Sequence, residues 1–169
     1  DLGRETTVPM GAEIYEEGEL ANGMSIILKG AAEIYRGTGV KAQRINVVGV
    51  GNVIGEIATL TGARRNATIR AATPLTFLTI SRKSVISLNK KYPTFEAQLW
   101  KTLAEKSLLN FKRQHRGLAY LDDSEILDWA GEPVVIKLEN EASLDIPDKI
   151  YWVALLHGKI SYQGAVMSM

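Results

Sequence analysis

The chain has 169 residues, a net charge of +1, 46% hydrophobic residues and no cysteine. This length suits one complete domain and part of a second. The balanced charge excludes bulk attraction to nucleic acid or an anionic membrane, and the lack of cysteine excludes disulfides, thiolate metal sites and thiol catalysis. No signal peptide is visible, and no apolar run approaches the roughly 20 residues of a membrane span. The composition therefore favours a globular, cytosolic domain, and a start at Asp1 in strand-like sequence suggests a fragment of a larger protein.

The first half of the chain predicts short β-strands separated by glycine turns. The predicted strands are residues 12–15, 24–28, 31–36, 44–48, 52–54, 67–72 and 75–81. Short strands at this close spacing are typical of a compact antiparallel β-roll of the jelly-roll kind. The fold class that follows is mostly β with α, in which the roll is followed by C-terminal helices.

The segment 54–68 carries the candidate functional residues. Gly55 permits a tight exit from a strand, and residues 56–60 predict a short helix whose N-terminal N–H groups suit a phosphate. Arg65 enters the next strand, where its guanidinium can hold two phosphate oxygens. The Glu56 carboxylate can accept a hydrogen bond from a sugar hydroxyl, and a nearby Arg65 would keep it ionised.

These residues resemble the phosphate-binding cassette of cyclic-nucleotide-binding domains. The matching runs are Gly55-Glu56-Ile57-Ala58 and Gly62-Ala63-Arg64-Arg65-Asn66-Ala67-Thr68. The resemblance implies that Glu56 holds the ribose 2′-OH, that Arg65 holds the cyclic phosphate, and that backbone N–H groups complete the cradle. The ligand-binding residues expected from it are Gly55, Glu56, Ile57, Ala58, Arg65, Asn66 and Ala67.

The expected ligand is cAMP or cGMP, with no further cofactor and no metal. Asn66 occupies a position that influences base preference in the family, but asparagine does not select one base. Arg64 replaces a proline of many members and is expected to be a solvated neighbour of Arg65. The alternative is a degenerate roll that keeps these residues, binds no nucleotide and docks to a partner.

Helices are predicted after the roll, at 82–88 with Ser81 as its N-cap and at 94–115 with Gly117 as its end. In the resembled family, a helix of this region folds over the base as a lid. The residues that would contact the base are Phe111 and Arg113. An equal alternative for each is that it packs against the roll or faces solvent.

The end of the chain predicts a second, incomplete roll. Asp122 to Ser124 indicate the cap of a short helix, and the strand-like sequence after Gly131 echoes the sequence after Gly11. A coincidental likeness between strands is the alternative. The expected domains are 1–119, a roll with lid helices, and 120–169, a partial second roll without a nucleotide site.

The arrangement predicts a regulatory domain and not an enzyme. Strand-like sequence after Ala130 argues against the helix-turn-helix of a bacterial transcription regulator. The layout of one roll, a helix and a partial second roll is similar to the cytosolic tail of sodium–proton exchangers. The tail of a cyclic-nucleotide-gated channel is the nearest alternative. The expected partner is the rest of a larger, membrane-embedded protein, and an oligomer is compatible with the sequence. The histidines, His115 and His157, lie far apart and lack metal-ligand spacing.

Overall fold

The computed structural model describes residues 3–118, 120–132, 136, 142, 159–162 and 165–168. The strands are β1 (Arg4–Val8), β2 (Glu13–Tyr15), β3 (Gly23–Lys29), β4 (Ala32–Arg36), β5 (Gln43–Val48), β6 (Val53–Ile54), β7 (Thr68–Ala71), β8 (Leu75–Ser81), β9 (Lys159–Tyr162) and β10 (Ala165–Ser168). The α-helices are α1 (Glu56–Thr61), α2 (Arg82–Lys91), α3 (Thr94–Gln114) and α4 (Asp123–Ala130). Single 3₁₀ turns occupy Gly39–Lys41 and Arg116–Leu118.

Two four-stranded antiparallel sheets form the roll. The first has the order β1-β8-β3-β6 and the second the order β2-β7-β4-β5, while β9 and β10 pair as a separate hairpin. The predicted antiparallel roll followed by helices is confirmed. Because β6 lies at the edge of the first sheet and β7 is internal in the second, the segment between them passes from one sheet to the other.

Both sheets contribute to one apolar core. The first sheet contributes Ile27, Ile54, Leu75 and Phe77, and the second contributes Tyr15, Ala32, Ile69 and Ala71. Ile27 and Leu75 have no exposed surface. Burying side chains of this size is the main favourable term in the folding of such a roll. Because the core includes Ile54 of β6 and Ile69 of β7, it fixes the strands before and after the 55–67 segment.

The chain divides into two compact units, Asp1–Lys91 and Tyr92–Met169. In the first unit, α2 follows β8 directly, and the Ser81 hydroxyl accepts a hydrogen bond from the Ser84 N–H at 3.0 Å, which confirms the predicted cap contact. In the second unit, α3 ends at Gln114, earlier than Gly117. The prediction that Gly117 ends this helix was wrong, because Gly117 lies in the 3₁₀ turn that follows.

The predicted domain division at 119 and 120 stays a prediction. The proposed second roll lies mostly outside the described residues, as does His157, and of its strands only the β9–β10 hairpin is described. Helix α3 buries Trp100, Leu103, Ala104 and Leu108.

Helix α4 begins with a capping box. The Asp122 carboxylate accepts hydrogen bonds from the Ser124 hydroxyl at 2.6 Å and the Glu125 N–H at 2.8 Å. The Glu125 carboxylate accepts one from the Asp122 N–H at 2.7 Å. This arrangement satisfies N–H groups that the first helical turn leaves unpaired, and the predicted cap is therefore confirmed.

The capping box makes the start of α4 sensitive to acid. The Ser124 hydroxyl, and after it the Glu125 N–H, lower the pKa of Asp122. Because the folded pKa lies below the unfolded one, the cap contributes above the ordinary aspartate value of about 3.9 and is lost as pH falls through the folded value. We expect the Glu125 amide resonance of the wild type to shift with an inflection below pH 3.9, and Asp122→Asn to remove that inflection. An inflection below 3.9 that persists in Asp122→Asn would contradict the cap.

Candidate functional site

The 55–67 segment starts with a left-handed glycine. Gly55 has φ 74° and ψ 12° and is the N-cap of α1. Its carbonyl oxygen accepts hydrogen bonds from the Thr59 hydroxyl at 2.8 Å and the Thr59 N–H at 3.3 Å. A residue with a Cβ adopts this backbone conformation only at a cost, so the conformation that starts α1 accounts for the glycine in the sequence.

The Arg65 side chain is buried and fixed by backbone carbonyl groups. The residue is 3% exposed. Its Nη1 donates to the Gly55 carbonyl and its Nη2 to the Gly23 carbonyl, each at 2.7 Å. These two bonds join the guanidinium to the start of α1 and to the start of β3. Arg65 is therefore a structural link between the cassette segment and the first sheet.

Arg65 also faces a ring and a carboxylate. Its Cζ lies 3.7 Å from the centroid of the Tyr15 ring, and its Nε lies 3.6 Å from Oε1 of Glu19. That Nε is buried and has no hydrogen-bond partner, while the Glu19 side chain is 42% exposed. At its Nε edge the guanidinium thus faces a carboxylate without forming a hydrogen bond.

Backbone hydrogen bonds hold the loop that carries Glu19 against the arginine. The Gly18 N–H donates to the Arg65 carbonyl at 2.8 Å, and the Arg65 N–H donates to the Glu19 carbonyl at 2.9 Å. The exposed Arg64 adds a bond from its Nη1 to the Gly18 carbonyl at 2.8 Å. Arg64 is exposed, as predicted, and in addition it anchors this loop.

The structure places the remaining predicted residues along the same segment. Glu56 and Ile57 open α1 and are half-buried, and Ala58 is buried. Asn66 is half-buried and Ala67 is buried before β7 begins. The N–H groups of the first helical turn have no acceptor within the helix. Whether these residues bind a nucleotide stays a prediction.

Sequence reasoning missed three neighbours of Arg65, namely Tyr15, Glu19 and Gly23. They lie more than 40 positions before the arginine in the sequence, and two of them act through a ring and a carbonyl group that no local motif marks. The sequence predicted that the Glu56 carboxylate lies near Arg65. In the structure, the Glu19 carboxylate forms an ion pair with Arg65.

A chain of three hydroxyl groups crosses the core beneath this arginine. The Tyr15 hydroxyl lies 2.7 Å from Ser25 Oγ, which lies 3.0 Å from Thr79 Oγ1. Tyr15 comes from the second sheet, and Ser25 and Thr79 from the first. Burial raises the pKa of Tyr15, although the Ser25 hydrogen bond and the Arg65 charge act in the opposite direction. The ring is thus neutral over the physiological range and is held at its hydroxyl end.

Ser25→Ala is expected to lower the free energy of unfolding by about 1–3 kcal/mol, because it leaves the buried Tyr15 hydroxyl without its partner. Ser25 itself has no exposed surface. The matched control is Thr7→Ala, which removes an exposed hydroxyl pair with Thr76 at 2.9 Å and should cost less than about 0.5 kcal/mol. Urea denaturation measures both values, and equal costs would contradict a structural role for the hydroxyl chain.

Two further features bear on the class of site. Within the described ranges, no three histidine or acidic side chains come together as a metal site requires. In the same part of the chain, every helix is too short or too polar to cross a lipid bilayer.

Comparison with known proteins gives the family context of this geometry. The family model described as cyclic nucleotide-binding domain matches residues 5–92, which is more than half of the chain. A crystal structure of a cyclic nucleotide-binding domain from Methylobacillus flagellatus superimposes with a TM-score of 0.61 at 24% identity, over 66% of each chain. At this identity, the superposition shows the shared fold alone.

Two curated proteins contain a similar segment. A cyclic nucleotide-gated potassium channel of Rhizobium etli is 31% identical over 103 residues, which are 61% of this chain and 28% of the channel. The lysophospholipase NTE1 of Candida albicans is 28% identical over 106 residues, which are 60% of this chain and 8% of that protein. The chain therefore spans less than a third of the length of either curated relative.

Proposed function

Because the chain belongs to the cyclic nucleotide-binding domain family, we propose that it senses cAMP or cGMP through the 55–67 segment and regulates a larger protein. The observation that carries this proposal is the buried Arg65, whose Nε has no hydrogen-bond partner and lies beside an exposed carboxylate. In the proposed complex, the cyclic phosphate replaces the Glu19 carboxylate at the Nε edge. A phosphate–guanidinium contact is a charge-assisted hydrogen bond, one of the stronger polar interactions in proteins.

Glu56 supplies the second half of the proposed contact set. As the first residue of α1, its carboxylate lies at the positive end of the short helix and would accept the ribose 2′-OH. The N–H groups of Ile57, Ala58 and Ala67 would surround the phosphate, with the Asn66 side chain beside it. Arg65 and Glu56 thus divide the recognition of the nucleotide between phosphate and sugar.

Occupancy of this segment can be passed to the helix that follows the roll. Arg82, the first residue of α2, donates from Nε to the Thr59 carbonyl at the end of α1, at 3.1 Å. Its guanidinium lies so close to Gly62 that a Cβ there would be 2.6 Å from Nη2. A shift of α1 on binding therefore moves the start of α2. In our proposal, the ligand favours one of two arrangements of these helices, which is a shift of population.

The proposed setting of the domain is an ion-transport protein. Of the two settings expected from the sequence, the similarity to a cyclic nucleotide-gated potassium channel supports a channel; the sodium–proton exchanger stays a prediction from the layout. The similarity to a lysophospholipase means that an enzyme can also contain such a segment. We propose a regulatory and not a catalytic role for the described domain, on the cytosolic face of its parent protein.

A double-mutant cycle, in which the ribose 2′-OH of the ligand and the Glu56 carboxylate of the protein are removed singly and together, tests the proposed sugar contact. The wild type is expected to bind 2′-deoxy-cAMP about tenfold more weakly than cAMP, since a hydrogen bond to a charged group contributes roughly 1.5–3 kcal/mol. Glu56→Ala should bind the two nucleotides equally. If the 2′-deoxy penalty persists in Glu56→Ala, another group holds the sugar. The same titrations with 2′-deoxy-cGMP and cGMP cover the second candidate ligand.

A further inference from the structure

The Tyr15 ring forms a platform for the arginine that is proposed to bind the phosphate. Tyr15 and Arg65 are both buried, at 6% and 3% exposure, and the guanidinium carbon lies 3.7 Å from the ring centroid. A cation on an aromatic face is attracted by the ring, and the attraction is stronger when both groups are removed from water. The ring therefore covers one face of the guanidinium at contact distance.

The ring cannot readily move away from that position. Its hydroxyl is held by Ser25 and, through Ser25, by Thr79 on the opposite sheet. On one side it meets Gly55, where a Cβ would lie 2.8 Å from Tyr15 Cε2. Two carbonyl groups fix the two Nη atoms of Arg65. Together, the ring and the carbonyl groups leave the Nε edge as the part of the guanidinium without a hydrogen-bond partner.

We propose that Tyr15 is a positioning residue for nucleotide binding, which holds the Arg65 guanidinium so that its Nε edge receives the cyclic phosphate. Tyr15 acts through Arg65 and does not touch the ligand. This inference rests on the proposed function, because it assigns a role within the same site. It predicts that the flat ring is required and that the hydroxyl contributes mainly to stability.

A second arginine–tyrosine pair on the roll supplies a matched control. The Arg70 guanidinium carbon lies 5.5 Å from the centroid of the Tyr35 ring. Arg70 is exposed and forms an ion pair with Glu13 at 3.1 Å. This pair lies on strands β4 and β7 of the second sheet, and the Tyr35 hydroxyl donates to the Glu33 carboxylate on its own strand at 2.8 Å. Its truncation should leave nucleotide affinity unchanged.

The experiment compares Tyr15→Phe, Tyr15→Leu and Tyr35→Leu by calorimetric titration with the nucleotide that the wild type binds. Tyr15→Phe keeps the ring and should bind within about threefold of the wild type. Tyr15→Leu should bind about tenfold more weakly, which corresponds to the loss of a buried cation–π contact. Tyr35→Leu should bind like the wild type. Equal or tighter binding by Tyr15→Leu would overturn the inference.

A double variant separates positioning from a general effect on the core. In Arg65→Lys the flat guanidinium is absent, so adding Tyr15→Leu should cost at most about twofold. A purely structural effect of Tyr15→Leu would cost the same tenfold in either background and would overturn the inference.

An NMR measurement on the wild type keeps the inference testable if Tyr15→Leu does not fold. The Arg65 Nε–Hε proton should be shifted upfield by the Tyr15 ring, and Tyr15→Phe should preserve the shift. An unshifted proton would overturn the inference without any ligand. If the wild type binds neither nucleotide, the proposed function fails and the inference with it, whereas a binding wild type with unaffected Tyr15 variants overturns the inference alone.

Discussion

Arg65→Ala is expected to weaken nucleotide binding by at least tenfold and to lower the free energy of unfolding by about 3 kcal/mol. Removing the charge-assisted contact with the phosphate accounts for the loss of affinity. The loss of stability follows because the buried Gly23 carbonyl oxygen loses its Arg65 donor, at a cost of roughly 1–3 kcal/mol, and because the contact with the Tyr15 ring is lost as well. The Gly55 carbonyl loses one donor but keeps the two of Thr59. Calorimetric titration and urea denaturation of the same preparation measure the two effects.

The neighbouring arginine provides the control for this substitution. Arg64→Ala removes an exposed side chain whose Nη1 donates to the Gly18 carbonyl at 2.8 Å. It should change the free energy of unfolding by less than about 1 kcal/mol, because water can replace the lost donor. It should also leave affinity within about threefold. If Arg64→Ala weakens binding as much as Arg65→Ala, the assignment of the phosphate contact to Arg65 is wrong.

Gly55→Ala is expected to lower the free energy of unfolding by about 3 kcal/mol and to weaken binding strongly. The left-handed backbone at φ 74° costs a residue with a Cβ roughly 1–2 kcal/mol. The new methyl group would also collide with Nη1 of Arg65 and lie 2.8 Å from Cε2 of Tyr15. Relief of these contacts displaces the guanidinium from the Gly55 carbonyl, so one methyl group disturbs the fold and the proposed site together. Thermal unfolding and nucleotide titration give the two readouts.

Gly51→Ala separates the two causes. Gly51 has φ +82°, and a Cβ there would meet nothing within 4 Å. The variant should therefore show only the backbone cost of about 1–2 kcal/mol, with unchanged nucleotide affinity. Similar losses of stability and affinity in both variants would mean that contact with Arg65 and Tyr15 is not what makes Gly55 necessary.

The sequence was sufficient to predict the roll because local patterns determine its strands. Alternating or apolar runs that start after a turn residue, as at 31–36 after Gly30 and at 75–81 after Pro74, correspond to β4 and β8 in the structure. The short helix α1 was predictable for the same reason, since a glycine precedes it and another follows it. The end of α3 was predicted wrongly. Gly117 is the kind of residue that commonly ends a helix, but α3 has His115 as its C-cap, two positions earlier.

The surroundings of Arg65 could not be predicted, because they depend on tertiary structure. Its carbonyl acceptor at Gly23 is 42 positions away, and Tyr15 reads in the sequence as an ordinary apolar residue of a strand. The sequence predicted that Arg65 contacts the ligand and lies near Glu56. The structure adds a buried guanidinium held by two carbonyl groups and a ring, with Glu19 at its Nε edge.

The most direct test of this account is calorimetric titration of the 169-residue chain with cAMP and with cGMP. We expect saturable binding of at least one of them at a single site per chain, and the comparison identifies the nucleotide. Circular dichroism of the same sample establishes that the chain is folded. The absence of binding to both nucleotides by a folded chain would contradict the account and would favour a roll that docks to a partner without a ligand.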